Sequence, residues 1–324
     1  MALAWAAAIT AAALAGLGVI NFFAARRAER RHPPRGKFVT VDGVRVHYRD
    51  EGPADRRDAK LPIVLIHGNG ASAEEQMSSG LVALLARERR VIAFDRPGAG
   101  YSARPAGRRW TASAQAALLG QALREIEIDR AVLVGHSWGT LVALAIALDH
   151  PDAAAALVLI AGPVMPVRRR DVETARWIAV PLLGALLAHT IVPFLARLGA
   201  PWLRRRIFSP QPVPRRFDRD YPRALQFRVS QLSAIAWDTI EMIPSAAALS
   251  SRYRDLAMPV TIIAGTDDEM VPSDRHSGAL HRMLPGSTYR VIPGAGHMVH
   301  HVATEEVAAL ILATARSVCD TPPG

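Results

Sequence analysis

Cysteine and lysine are the residues that this sequence most lacks. There is one cysteine, Cys319, near the C-terminus, so an intrachain disulfide is impossible and an inert thiol is expected. Arginine supplies all the basic side chains except Lys37 and Lys60, and the formal net charge is +10. An arginine bias in an alanine-rich chain fits a GC-rich coding genome as well as a polyanionic partner. No nucleic-acid motif accompanies the charge, so no nucleic-acid partner is expected.

Charge is absent from Ala2 to Ala25, a run long enough to cross a bilayer core of about 20 residues. The residues that follow are rich in arginine, whereas no basic region precedes the run as a secretory signal would require. We expect residues 1–25 to be a transmembrane anchor and residues 26–37 a basic linker. The positive-inside rule then puts the rest of the chain in the cytoplasm.

Two alternatives remain open for this N-terminal segment. One is a cleaved signal peptide followed by a periplasmic enzyme. The other is a helix packed on the domain that follows. The arginine run and Pro33-Pro34 favour a segment detached from that domain.

Strand-like and helical stretches alternate over most of the remaining chain. Half of the 324 residues are hydrophobic, which suits a large core. Continuous apolar runs are typical of buried parallel strands, and short β-rich runs around Asp42-Gly43 indicate a hairpin. The expected strands are Phe38–Val41, Val44–Tyr48, Pro62–Ile66, Val91–Phe94, Ala131–Val134, Leu157–Ile160, Val260–Ala264 and Tyr289–Ile292. This alternation predicts an α/β fold with a doubly wound, mostly parallel sheet flanked by helices.

The alternation stops between residues 163 and 255, where only helical pieces cut by prolines are found. We expect a helical cap inserted into a core of residues 38–162 and 256–324. The uncharged stretch Trp177–Ala196 is long enough to span a membrane. A crossing there would put the two halves of the core on opposite sides of the membrane, so this stretch is expected to be a cap element broken at Pro181 and Pro193.

A possible nucleophile lies between the expected strand Ala131–Val134 and a helix. Gly135-His136-Ser137-Trp138-Gly139 is G-x-S-x-G in the strand–turn–helix context that this motif requires. The glycines permit a sharp turn that exposes the Ser137 hydroxyl at the start of the helix. The sequence therefore predicts a serine nucleophile.

A serine nucleophile needs a base, and the base needs an orienting carboxylate. Acidic residues follow the strand Val260–Ala264, in Gly265-Thr266-Asp267-Asp268-Glu269, and His297 follows the last expected strand. Since both sites lie at the carboxyl ends of parallel strands, they should meet Ser137 at one edge of the sheet.

From Phe38 to the C-terminus, outside the insertion, the chain resembles the α/β-hydrolase superfamily. Its motifs occur in order: HGNG at 67–70, DRPGAGYS at 95–102, GHSWG at 135–139, GTDDEMVP at 265–272 and GAGHM at 294–298. The resemblance implies a Ser–Asp–His triad of Ser137, Asp268 and His297, with Asp267 as the alternative acid. It also implies an oxyanion hole formed by the backbone N–H groups of Asn69 and Trp138.

The function expected from this resemblance is hydrolysis of an ester, with a lipophilic ester as one candidate, without cofactor or metal. Amide, thioester or C–C hydrolysis and cofactor-free perhydrolysis remain open on the same triad. Serine at 137 argues against dehalogenase and epoxide-hydrolase chemistry, which uses aspartate at that position. Thr140 replaces a glycine that often follows this motif, and we expect the change to affect packing.

Three further interpretations compete with the serine hydrolase. Gly68 to Ala73 matches G-x-G-x-x-A after a strand, with Asp95 ending the next one, which is the outline of a dinucleotide site. A non-catalytic ligand-binding protein on the same fold is the second. The third is a metal site at His297, His300 and His301, which is disfavoured because no carboxylate or cysteine with ligand spacing joins them. Arg168–Arg170 and Arg204–Arg206 fit either solvated faces or contacts with membrane phosphates.

Overall fold

The centre of the molecule is an eight-stranded sheet with the order β1-β2-β4-β3-β5-β6-β7-β8. The structure is a computed structural model that describes residues 1–53, 60–168, 172, 175, 177, 180 and 182–318, so Cys319, Pro181, Arg169 and Arg170 lie outside it. β2 is antiparallel to β1 and β4, and the other neighbours are parallel. The strands are β1 (Lys37–Val41), β2 (Val44–Glu51), β3 (Ile63–Ile66), β4 (Val91–Phe94), β5 (Ala131–His136), β6 (Ala154–Ile160), β7 (Val260–Gly265) and β8 (Thr288–Ile292).

In the described residues, helices cover both faces of this sheet, form the insertion and make up the N-terminal segment. They are α1 (Ala2–Arg31), α2 (Ala73–Ser78), α3 (Leu81–Leu85), α4 (Ala112–Glu125), α5 (Gly139–Asp149), α6 (Leu183–His189), α7 (Ile191–Phe208), α8 (Arg215–Asp220), α9 (Val229–Ser250), α10 (Ser277–Met283), α11 (Val299–Val302) and α12 (Thr304–Ser317). The predicted fold class, a mostly parallel sheet flanked by helices, is confirmed.

The two sheet faces pack into two separate cores, which explains why β3, β4 and β6 are apolar at every position. Along β3, Val64 and Ile66 join the core beneath α4 and α5, whereas Ile63 and Leu65 join the core beneath α3 and α12. Side chains alternate between the faces of a strand, so a strand covered on both sides has no polar face.

The insertion folds as the helices α6 to α9, and no strand occurs among its described residues. The break in the apolar stretch Trp177–Ala196 is at Thr190, where α6 and α7 meet at a bend of 54°. The stretch is broken as expected, with the break three residues before Pro193, because proline has no N–H for the His189 carbonyl and its ring crowds that carbonyl. Pro193 lies in the first turn of α7, where a missing backbone N–H leaves no helical hydrogen bond unmade.

Helix α1 is long and apolar enough to cross a membrane, a property that anchors and signal sequences share. It continues to Arg31, so residues 26–31 of the expected basic linker are its last turns. The helix ends at His32, just before Pro33 and Pro34, which disfavour helical backbone at and before their own positions.

The second half of α1 packs against the cap, contrary to the expected detachment. Asn21 is buried in the contact. Its side-chain amide donates to the backbone carbonyls of His189 at 3.0 Å and Thr190 at 2.8 Å, and Arg197 donates to its carbonyl oxygen at 2.7 Å. Asn21 of α1 thus donates hydrogen bonds to the His189 and Thr190 carbonyls at the end of α6.

Thr140 packs where the resemblance leads one to expect glycine. Its hydroxyl donates to the Ser137 carbonyl at 2.7 Å, and its side chain fills the space beside Gly162. A Cβ added at Gly162 would lie 2.4 Å from Thr140 Oγ1. Residues 140 and 162 therefore share one small volume.

We predict that Gly162→Ala destabilises the fold by about 1–3 kcal/mol, because the added methyl overpacks this volume. Adding Thr140→Gly should recover part of the loss, although glycine in a helix itself costs about 1 kcal/mol. Thermal unfolding of the single and double variants measures both effects. Strictly additive losses would contradict the shared volume.

Candidate active site

Ser137 lies at the tight turn between β5 and α5 at the carboxyl edge of the sheet. Its φ is 51°, a conformation that non-glycine residues rarely adopt. The turn depends on the flanking glycines, because a Cβ at Gly139 would lie 2.1 Å from the Ile66 carbonyl oxygen and one at Gly135 only 2.6 Å from Thr140 backbone atoms. The Ser137 N–H donates to Ile160 O at 2.8 Å, which fixes the turn to β6.

The structure brings Ser137, His297 and Asp268 together in one hydrogen-bonded line. His297 Nε2 is 3.0 Å from Ser137 Oγ, and His297 Nδ1 is 2.8 Å from Asp268 Oδ2. A carboxylate only accepts, so Nδ1 carries the ring proton and Nε2 is free to accept from the serine hydroxyl. All three side chains are buried, which shields the line from bulk water.

Asp268 and the neighbouring Asp267 have different surroundings. The other oxygen of Asp268 accepts the backbone N–H groups of Met270 at 2.9 Å and Val271 at 2.8 Å. Asp267 is exposed, and its carboxylate accepts from Thr266. The geometry thus joins the predicted acid, and not the alternative, to His297.

His136 supports the loop that carries His297. Its Nε2 is 3.1 Å from the His297 carbonyl oxygen, and the two ring centroids are 5.1 Å apart. Burial, and next the nearby His300, hold the pKa of His136 well below its usual range. The ring is therefore neutral and donates from Nε2, so it adds no charge beside Ser137.

The loop after β3 lies against the Ser137 turn and is held by Arg96. The guanidinium donates to His67 O and to Gly68 O, both at 2.9 Å. His67 Nδ1 is 2.8 Å from Gly68 O, and its Nε2 accepts the Arg96 N–H at 3.0 Å. Burial and the charge of Arg96 lower the pKa of His67 to about 4, so this ring is a neutral part of the scaffold.

The cap helix α9 holds the side chains of both predicted oxyanion residues. Asn69 Nδ2 donates to Ile235 O at 3.1 Å and Thr239 Oγ1 at 2.9 Å. Trp138 is fully buried and donates its indole N–H to Asp238 O at 2.7 Å. Among the described residues, the backbone N–H groups of Asn69 and Trp138 have no hydrogen-bond partner.

Asp95 and the glycine loop lack the features of a dinucleotide site. Asp95 is fully buried, and its carboxylate accepts from the backbone N–H of Ala73 at 2.7 Å and of Tyr101 at 2.8 Å, with His47 Nδ1 2.7 Å away. A ribose hydroxyl therefore cannot reach it. The helix after the loop starts only at Ala73, too late to present its N-terminus at Gly68.

His300 and His301 are joined by a carboxylate that sequence spacing could not reveal. Glu75 of α2 lies 225 residues before His300, and its Oε1 is 2.8 Å from His300 Nε2 and 2.5 Å from His301 Nε2. The expectation that no carboxylate accompanies these histidines was therefore wrong. His297 takes no part in this group, since it faces Ser137.

Glu75, His300 and His301 are also the residues that could hold a metal. Burial opposes ionisation of Glu75, but the two histidines bring its carboxyl pKa well below the usual range. The Nδ1 atoms of both rings have no partner among the described residues. Metal-bound histidines normally donate this second N–H to an acceptor, so the arrangement favours a hydrogen-bonded cluster with both Nε2–H groups donating to Glu75.

The fold and the site geometry identify the class of protein. A family model described as alpha/beta hydrolase fold matches residues 62–304. The chain belongs to the α/β-hydrolase family, and the resemblance found in its sequence motifs is confirmed.

Individual relatives differ in what they are named for. A 2-hydroxy-6-oxo-2,4-heptadienoate hydrolase of Pseudomonas putida is 26% identical over 273 residues, 82% of this chain and 90% of the relative. An uncharacterized protein of Mycobacterium tuberculosis is 30% identical over 282 residues, which cover 83% of this chain and 77% of the relative. Among solved structures, a bacterial membrane phospholipase A matches with a TM-score of 0.66 and 21% identity over 99% of this chain and 98% of its own.

We predict that the chain loses stability as the pH falls from about 6.5 to 4, partly through His67. The unfolded ring titrates near 6.5 and the folded ring near 4, so the unfolded state binds more protons in this window. The contribution of His67 to the free energy of unfolding is complete above about pH 6.5. Below that pH it declines by up to about 1.4 kcal/mol per pH unit.

The variant His67→Asn keeps a donor and an acceptor but has no titrating group. It should therefore show a shallower decline in stability as the pH falls, measured by urea unfolding at several pH values. Circular dichroism at pH 7.5 checks that the variant is folded. An unchanged slope would show that His67 is protonated in the folded state.

Proposed function

We propose that this protein is a serine hydrolase that cleaves an ester through an acyl-enzyme, with Ser137 as nucleophile. The observation that carries the proposal is the line Ser137 Oγ–His297 Nε2 at 3.0 Å and His297 Nδ1–Asp268 Oδ2 at 2.8 Å. A serine hydroxyl needs such a base and such an orienting acid to attack a carbonyl. The family membership supports hydrolysis as the reaction class.

The reaction steps follow from the position of the His297 ring proton on Nδ1, which leaves Nε2 free to act as a base. Ser137 Oγ attacks the carbonyl carbon while His297 Nε2 takes the hydroxyl proton and then gives it to the departing alkoxide. Water then attacks the acyl-enzyme with His297 again as base. The backbone N–H groups of Asn69 and Trp138 bind the oxyanion, and such a donor contributes about 10²–10³ in rate. Asp268 keeps the imidazole in the required tautomer, and no metal or cofactor enters these steps.

A lipophilic ester is the substrate class that the surroundings of this site support. The cap is largely apolar from Leu182 to Leu203, and α6 and α7 in this stretch pack against the apolar helix α1. The fold neighbour named as a membrane phospholipase A aligns with nearly the whole chain, α1 included. The heptadienoate hydrolase among the relatives keeps non-ester substrates as the second candidate.

A chain-length series of p-nitrophenyl esters with and without detergent, together with a fluorophosphonate label, tests this proposal. We expect labelling of Ser137 and a preference for longer acyl chains. A label that does not attach to Ser137 would favour a ligand-binding protein instead. A label without ester turnover would favour amide, thioester or C–C bonds.

We predict that Asp268→Asn lowers kcat by about 10⁴-fold, because an amide at this position favours the wrong imidazole tautomer. The matched control Asp267→Asn changes an exposed side chain and should leave kcat nearly unchanged, while Ser137→Ala should abolish turnover. Steady-state kinetics on one soluble ester compares the three variants. A larger loss of kcat in Asp267→Asn would identify Asp267, and not Asp268, as the acid of the triad.

We further propose that α1 is an uncleaved, single-pass membrane anchor with the catalytic domain in the cytoplasm. The apolar run from Ala2 to Ala25 measures about 36 Å as a helix. The exposed arginines Arg26, Arg27, Arg30 and Arg31 follow it on the domain side, where the positive-inside rule favours the cytoplasm. The hydrogen bonds of Asn21 to the cap support retention of α1, because cleavage would leave these cap groups without their partner.

Protease treatment of spheroplasts tests the proposed sidedness. In intact spheroplasts the catalytic domain should be protected, and it should be digested only after lysis. Intact mass of the membrane-extracted protein tests whether α1 is retained. Digestion from outside the intact inner membrane would place the domain in the periplasm and leave the triad unaffected.

A further inference from the structure

The cap carries an exposed apolar surface beside α1. Six side chains on α6, α7 and the residue before α6 form it, and they are between 46% and 88% exposed: Leu182, Leu186, Phe194, Leu195, Leu198 and Trp202. We call this surface the apolar cap face. On α7 its members recur at spacings of three and four residues, which places them on one side of the helix. Contiguous exposed apolar surface of this kind marks an interaction site.

The position of Asn21 on α1 sets the depth of this face relative to the anchor. Asn21 lies five residues before Arg26, the first charge after the apolar run, and therefore about 7.5 Å along the helix axis. Its amide is hydrogen-bonded to the carbonyls of His189 and Thr190 at the bend between α6 and α7. A bilayer that contains the apolar run of α1 therefore reaches the bend as well.

The charges around the cap face have the pattern of an interfacial helix. Arg197 is the only charged residue between Leu182 and Leu203, and it points inward to Asn21 at 2.7 Å. Beyond Trp202 the exposed Arg205 and Arg206 follow. Helices that lie in the membrane interface have an apolar face buried by about 5–10 Å, with arginine and lysine near the phosphates.

We propose that the apolar cap face lies in the lipid bilayer beside α1, with Arg205 and Arg206 against anionic headgroups. This inference rests on the proposed anchoring by α1. The bend of α6 and α7 enters the acyl region without crossing the bilayer, because the cap and the two halves of the core belong to one folded body. The freed carbonyls at the bend are satisfied by Asn21, as non-helical backbone at membrane depth requires.

In this placement the single helix α9 lies between the apolar cap face and the loop after β3 that carries Asn69. Both α6 and α7 contact α9, and α9 holds Asn69 through Ile235 and Thr239. An ester that leaves the bilayer at the cap face is thus only one helix away from the loop that contacts Ser137. An ester embedded in the membrane accordingly reaches the site through the apolar cap face.

Site-specific lipid quenching in vesicles tests the placement with the full chain. In a Cys319→Ser background, an environment-sensitive fluorophore is attached to Leu198→Cys on the cap face or to Ile9→Cys on α1. Asp129→Cys, exposed just before β5 at the opposite edge of the sheet, serves as the control. Vesicles of phosphatidylcholine and phosphatidylglycerol carry spin-labelled lipids with either shallow or deep labels.

The proposal expects quenching at residues 198 and 9, with the shallow label more effective at 198, and no quenching at residue 129. Quenching at residue 9 alone would overturn the placement of the cap face and leave the anchor intact. No quenching at residue 9 would overturn the anchor itself. A blue shift at residue 198 without quenching would show that a second copy of the chain covers the face.

The variant Asn21→Leu tests the link between α1 and the cap. It removes the hydrogen bonds to the bend but leaves α1 apolar, so quenching at residue 9 should persist while quenching at residue 198 falls. Leu198→Glu should lower turnover of vesicle-embedded esters at least tenfold and leave turnover of a short soluble ester unchanged. Unchanged turnover of the vesicle-embedded ester would contradict the proposal, and circular dichroism checks that the variant is folded.

Discussion

A buried ion pair between Arg96 of the core and Asp238 of the cap holds the proposed active site together. Arg96 Nη1 is 2.5 Å from Asp238 Oδ2, and both side chains are almost fully buried. The same guanidinium holds His67 O and Gly68 O and lies 4.8 Å from the Trp138 ring centroid. Asp238 in turn accepts Trp138 Nε1 through its backbone carbonyl. Asp238 also pairs with Arg104 at 2.9 Å. Breaking a buried pair costs about 3–5 kcal/mol, so the contact of Arg96 with Asp238 is a major link between the cap and both proposed oxyanion residues.

The sequence was sufficient for the features that depend on local pattern. Buried parallel strands are apolar throughout, so β4 was predicted to the residue and the others to within a few residues. Ser137, Asp268 and His297 could be chosen because strand ends of one polarity meet at one edge of the sheet. Their roles remain proposals, but the geometry brings together the three residues that the motifs indicated.

Features that depend on distant contacts could not be predicted. Glu75 meets His300 and His301 across 225 and 226 residues, so no spacing rule could show that a carboxylate joins them. The break at Thr190 is stabilised by Asn21, which lies far away in the chain. Helix α9, which holds the side chains of Asn69 and Trp138, belongs to the insertion. No sequence motif in the insertion indicated these contacts.

The contacts of Asn21 also have a consequence for the order of biosynthesis. The partner carbonyls of His189 and Thr190 lie 168 and 169 residues later in the chain. At about 5–20 residues per second, a ribosome exposes them roughly 8–35 s after Asn21. In the proposed placement α1 enters the bilayer first, and its amide stays without the cap during this interval. The nascent helix must therefore tolerate one polar side chain in lipid until the cap folds onto it, which limits how many such contacts an N-terminal anchor can carry.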